Sequence, residues 1–116
     1  MATIVATNAQ GTGAVTVTET TLDGSSDTFA YSSGGNQYLS LLNGTAGALT
    51  PIIDGDGATT VPVSGVGNID ISSGYAVGSI AIGEMVVIRT STIEKYLAGT
   101  IEITGGTGLT AVLLEY

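Results

Sequence analysis

The sequence has no cysteine, no histidine and no tryptophan, and only Arg89 and Lys95 carry positive charge. Each absence removes a class of function. Without cysteine there is no disulfide framework, no thiolate nucleophile and no cysteine-ligated metal. Without histidine the commonest general acid–base group at neutral pH is missing. A nucleophilic Ser or Thr would need a base, and the single lysine, Lys95, sits beside Glu94. Ten Asp and Glu against two cations give a net charge of −8. Such a surface repels phosphate backbones and anionic membranes, so neither nucleic acid nor membrane is an expected partner. No apolar run approaches the length of a membrane helix, and "MATIVATNAQGTG" lacks the basic start and apolar stretch of a signal peptide. A soluble protein made in a cytoplasm is expected.

What is present is the vocabulary of short strands. Apolar residues make up 43% of the chain, 18 residues are glycine, and Val, Ile, Leu and Thr dominate the rest. Period-two alternation recurs in "AVTVTET" (14–20), "NIDIS" (68–72) and "TIEIT" (100–104), placing Val15, Val17, Ile69, Ile71, Ile101 and Ile103 on inward faces. Three further runs, "YLSLL" (38–42), "MVVI" (85–88) and "LTAVLLEY" (109–116), are apolar on both faces, as in a sandwich interior or a subunit contact. Turn signals separate them: "DGSSD" (23–27), "SSGGN" (32–36), "NGTAG" (43–47), "DGDG" (54–57), "SGVG" (64–67), "SSG" (72–74) and "GGTG" (105–108). "STIEKYLAG" (91–99) has capping-box spacing at Ser91 and Glu94 and allows one helical turn. The expected fold is all-β: one domain, residues 1–116, forming an antiparallel β-sandwich of jelly-roll type with at most one short helical turn.

"IIDGDGATT" (52–60) invites a functional reading. Asp54 and Asp56 match the first acidic positions of a calcium loop, but Ala58 stands at the third and no Glu closes it. A calcium site built from strands would need another carboxylate, from Asp23, Asp27 or Asp70. The simpler reading is a hairpin turn, with "LTPII" and "TTVPV" as its arms; Pro51 and Pro62 make each arm either an edge strand or one that starts where pairing does. "GGTGLT" has the glycines of a phosphate loop without its lysine and is expected to be a hairpin turn. With its carboxylates scattered, the chain is not expected to be an enzyme or to hold a cofactor.

Taken in order, the segments resemble a family of small structural proteins of tailed bacteriophage heads. "SDTFAYSSGGNQYLSLLNGTAGALTPIIDG" is similar to the family's first half: an Asp-Thr-Phe opening, a Gly-Asn turn and an apolar strand ending in Asn-Gly. "VPVSGVGNIDIS" and "YAVGSIAIGEMVVI" follow in kind, and "GTIEITGGTGLTAVLLEY" resembles the closing strand pair. The resemblance covers residues 25–116 and leaves 1–24 as an N-terminal strand or arm. It departs at "GEMVVI" (83–88), where the family carries Gly-Pro-Phe, and at the more helix-like "TSTIEK" (90–95). It implies a decoration or cement protein on the outer head surface of a virion. The implied partners are the major capsid protein and further copies of the chain, as a homotrimer.

Contacts of that kind are expected at two places. Ile4 and Val5 lie in an apolar N-terminal segment suited to an arm docking on a neighbour. In the last strand Val112, Leu114 and Tyr116 share one face while Leu109, Ala111 and Leu113 share the other, so one face can be core and the other a contact. Two other readings stand beside this one. One is a virion-surface or extracellular module that grips a glycan or receptor with calcium; its sugar-stacking aromatics would have to come from five Tyr and one Phe. The other is a structural protein of the tail or its adaptor.

Overall fold

The computed structural model describes residues 2–9, 13–24, 27–32 and 35–116; the expected turns at 23–27 and 32–36 lie partly outside that set. The described residues form ten strands: β1 (Ala6–Asn8), β2 (Thr20–Thr21), β3 (Gln37–Leu42), β4 (Ile52–Gly55), β5 (Thr60–Val63), β6 (Gly67–Asp70), β7 (Tyr75–Ala76), β8 (Met85–Arg89), β9 (Ile101–Thr104) and β10 (Thr110–Glu115). One short 3-10 segment, Thr90–Tyr96, interrupts them. The all-β expectation therefore holds.

The strands form three sheets. The largest runs β1-β10-β3-β8, with β2 beside β10; the second runs β7-β4-β9; among the described residues β5 and β6 pair only with each other. Alternation explains β3, β9 and β10. Leu39 and Leu41, Ile101 and Ile103, and Ala111 and Leu113 are all buried, and their chain neighbours point the other way. These side chains join Ile53, Ile88, Leu109 and Phe29 in one hydrophobic cluster shared by the two larger sheets. Burying a Leu or Ile side chain stabilises by about 1.5–3 kcal/mol, so this cluster is the main favourable term.

Several local expectations differ from the structure. Of "AVTVTET" only Thr20 enters a strand, β2; Val15 and Val17 are exposed because no described strand pairs with residues 14–19, which touch β1 through a Thr18 N–H bond to Thr7 Oγ1 (3.0 Å). Ile71 is buried as expected, but Ile69 is exposed. "GGTG" is not a hairpin turn: β9 belongs to the second sheet and β10 to the first, so the chain crosses between sheets there. The pairing is not wholly antiparallel either. β1 lies parallel to β10, Ala6 opposite Leu113. A parallel pair needs a long connection, and here almost the whole chain supplies it.

The helical turn at 90–96 is 3-10, not α, and kinks at Ile93. No side chain caps it. Glu94, the expected capping partner of Ser91, accepts instead from the Tyr31 hydroxyl (3.2 Å). That bond follows burial as a cause raising the Tyr31 pKa above its ordinary value.

Candidate functional site: the outer face of the large sheet

The three runs that are apolar on both faces, β3, β8 and β10, are neighbours in one sheet. Register fixes which residues share a face. Leu41 lies between Ala111 and Val86, and Leu39 between Leu113 and Ile88; these rungs face the core. The alternate rungs face away from it: Thr110–Leu42–Met85, Val112–Ser40–Val87 and Leu114–Tyr38–Arg89. Met85 and Val87 are 56% and 59% exposed, while Leu42, Val112 and Leu114 are half-buried and outside the core cluster.

This face carries no carboxylate in a chain that has ten. Glu115 belongs to the opposite side of β10, where its Oε1 accepts from buried Gln37 Nε2 (3.2 Å). One corner is aromatic and cationic. Tyr38 and Tyr116 stack with centroids 5.3 Å apart, and the Gly35 carbonyl accepts from Arg89 Nε (3.2 Å), Arg89 Nη2 (3.1 Å) and the Tyr116 hydroxyl (3.4 Å). Hydrogen bonding with Tyr38 first, then burial, raises the Tyr116 pKa. At the opposite edge of the sheet from β1, β8 pairs with β3 and, among the described residues, with no other strand.

Val112, Leu114 and Tyr116 thus lie on the outward side, and Leu109, Ala111 and Leu113 in the core. The N-terminal pair separates. Val5 is exposed, whereas Ile4 is buried in the chain's own core and its N–H donates to Thr28 O (2.8 Å). With β1 in the chain's own sheet, Ile4 is already packed and does not extend outward as an arm. Tyr38, Leu42, Met85 and Val87 were not singled out from the sequence as contact residues, and Arg89 was noted only as one of two cations. Their signal was the double-sided apolarity of "YLSLL" and "MVVI", which says nothing about adjacency.

Asp54 and Asp56 make different contacts. The "DGDG" stretch is not a hairpin between 52–53 and 59–63, because β4 pairs with β7 and β9 while β5 pairs with β6. It wraps instead around residues 98–100. Asp56 N–H donates to Thr100 O (2.9 Å), Gly57 N–H to Ala98 O (2.9 Å), and Asp56 Oδ1 accepts from Thr100 N–H (2.8 Å). Asp56 is thereby engaged by backbone. Pro51 precedes the central strand β4, and Pro62 lies in β5, which pairs with β6. Among the described residues no group of three or more His, Cys, Asp or Glu is placed to hold a metal ion.

Asp54 sits directly across from Glu102 in the β4–β9 pair, and its Oδ1 is buried without a hydrogen bond. Like charges opposite one another destabilise a sheet, and an unpartnered buried oxygen adds a desolvation cost. Asp54→Asn is therefore expected to stabilise the fold by about 0.5–1 kcal/mol, read as a rise in thermal midpoint of about 2–5 °C. A fall in midpoint would show that the carboxylate has a favourable partner.

No protein-family model, curated protein or solved structure matches the chain.

Proposed function

We propose that the chain is a structural virion protein, a decoration or cement protein of the outer head surface that works by protein–protein contact. The observation that carries this reading is the carboxylate-free, apolar outer face of β10, β3 and β8. Uncovered apolar patches mark interaction surfaces, and depletion of charge with Tyr and Arg present is the composition of an interface centre. The order of sequence signals resembling phage head proteins supports the location. The sharing of one core by the two larger sheets supports the finer fold, a β-sandwich of jelly-roll type.

The major capsid protein and further copies of the chain, as a homotrimer, are the partners of this reading. The mechanism is mass action: a protein that binds only the assembled shell shifts the equilibrium away from disassembly, by about 2.7 kcal/mol at a hundredfold excess over Kd. The net charge of −8 keeps free copies apart until they meet a matching surface.

Val87→Asp tests the reading, because Val87 is exposed and its replacement leaves the core intact. Capsids of the phage lacking the protein are mixed with wild type or variant and sedimented. Wild type is expected to co-sediment and to raise the temperature at which the capsids open. The variant, with unchanged circular dichroism, is expected to bind at least about tenfold more weakly, since a buried unpaired charge costs several kcal/mol. Equal binding by the two proteins would remove this face from the function.

A further inference from the structure

We infer that the apolar face of the β5–β6 hairpin docks on the outer face of β10, β3 and β8 of a second copy. The inference rests on the reading of that face as a contact surface and names what covers it.

The hairpin is amphipathic, and among the described residues no third strand pairs with it. Its register places Val61 opposite Ile69 and Val63 opposite Gly67 on one face, with Thr60, Pro62, Asn68 and Asp70 on the other. At its foot Ala58 and Ile71 are buried, and the Ile71 N–H bond to Thr59 O (2.9 Å) closes the base of the hairpin. Val63 and Ile69 are each 40% exposed, and Val66 at the turn is 68% exposed. The radius of gyration, 14.5 Å, exceeds the roughly 13 Å of a compact chain of this length, in keeping with a projecting element. A two-stranded hairpin alone in water is marginally stable at best, so its apolar face needs a surface to rest on.

A second copy fits by charge and by size. Two chains of charge −8 meet favourably only where neither presents carboxylates. Residues 59–69 carry no charge, and the outer sheet face carries only Arg89. Strand rise and spacing make the hairpin face roughly 10 Å by 15–20 Å and the three-stranded patch roughly 15 Å by 17 Å, so one footprint seats on the other. One such contact removes on the order of 500 Å² in total, well under the ~1,600 Å² of a stable pair. A head-to-tail contact lets each copy give a hairpin and receive one, and such contacts close into rings.

Pro62 contributes to this mode of association. It removes a donor from the free edge of β5, which discourages edge-to-edge pairing of hairpins and leaves the face as the means of contact.

The test mixes two variants, Ile69→Asp on the hairpin and Val87→Asp on the sheet face, in analytical ultracentrifugation; Ile69→Ser replaces Ile69→Asp should the latter not fold. Wild type is expected to associate as its concentration rises, and each variant alone to stay at 11.5 kDa. At millimolar concentration an equimolar mixture is expected to show a weak species of up to twice that mass that neither variant shows alone, because one intact hairpin meets one intact face while a single contact of this size holds no stable pair when dilute. A wild type that stays monomeric, a hairpin variant that associates like wild type, or a mixture that stays monomeric overturns the inference. In each case loss of capsid binding by Val87→Asp would leave the proposed function standing with another occupant on the face. Unchanged association and unchanged capsid binding by Val87→Asp would overturn both.

Discussion

Gly55→Ala is expected to destabilise the fold by about 3–5 kcal/mol, an effect usually reserved for large core deletions. Gly55 is buried at the end of β4, opposite Ile101 of β9. A Cβ built there would overlap the Ala98 carbonyl oxygen and lie 2.7 Å from both Ala98 N and Tyr96 O. All three are backbone atoms, so no side-chain rotation relieves the overlap. The hydrogen bonds from Asp56, Gly57 and Thr100 hold the two segments at this separation, and moving them apart breaks the wrap. Urea unfolding measures the loss. Gly44→Ala is the control: nothing lies within 4 Å of its Cβ position, and a change within about ±0.5 kcal/mol is expected. If Gly55→Ala matched that control, the close approach of residues 55 and 98 would not exist in solution.

Asp27→Ala is expected to cost a similar amount, about 3–5 kcal/mol, by a different mechanism. Asp27 is fully buried, and its carboxylate accepts backbone N–H bonds from Ala2 (3.0 Å), Asp23 (3.2 Å) and Gly24 (3.0 Å). Its own backbone joins β9 through reciprocal bonds with Ile103, N–H to O at 3.2 Å and 2.6 Å. One residue therefore ties the N-terminal segment, the turn at 23–24 and the second sheet together. Alanine keeps the backbone bonds and leaves three N–H groups without an acceptor. Asn keeps one oxygen but turns a donor toward N–H groups, so Asp27→Asn is expected to lose about half as much. Hydrogen exchange at Ala2 and Gly24 distinguishes this from a general loss of packing, since those amides are expected to lose protection first. A loss under about 1 kcal/mol for Asp27→Ala would show that water replaces the carboxylate without penalty.

Neither effect was visible in the residues alone. "DGDG" reads as a turn because Asp-Gly steps favour one, and a turn is what forms. Yet neither Gly55 nor Gly57 needs a positive φ. They are glycine because residues 96–99, some forty positions later in the chain, press against them. Asp27 reads as a surface acid in a Ser-rich turn, and its burial depends on Ala2 and Ile103 arriving from opposite ends of the chain.

Local pattern settled what local physics controls. Alternation placed Ile101 and Ile103 inward and set Leu109, Ala111 and Leu113 on one face, because a strand's side chains must point to opposite faces; only the structure shows that this face is the core one. Alternation also failed where no core lay behind the pattern: Val15 and Val17 lie outside the described strands, and Ile69, though paired opposite Val61, does not reach the core cluster, so all three remain exposed. Composition by itself determined the all-β character and the acidic surface. Tertiary structure decided that β3, β8 and β10 lie side by side, so that three separate double-sided apolar runs become one uncovered face. Pairing between residues 37–42, 85–89 and 110–115 is set by register and shared burial across long loops, and a single strand's sequence carries neither.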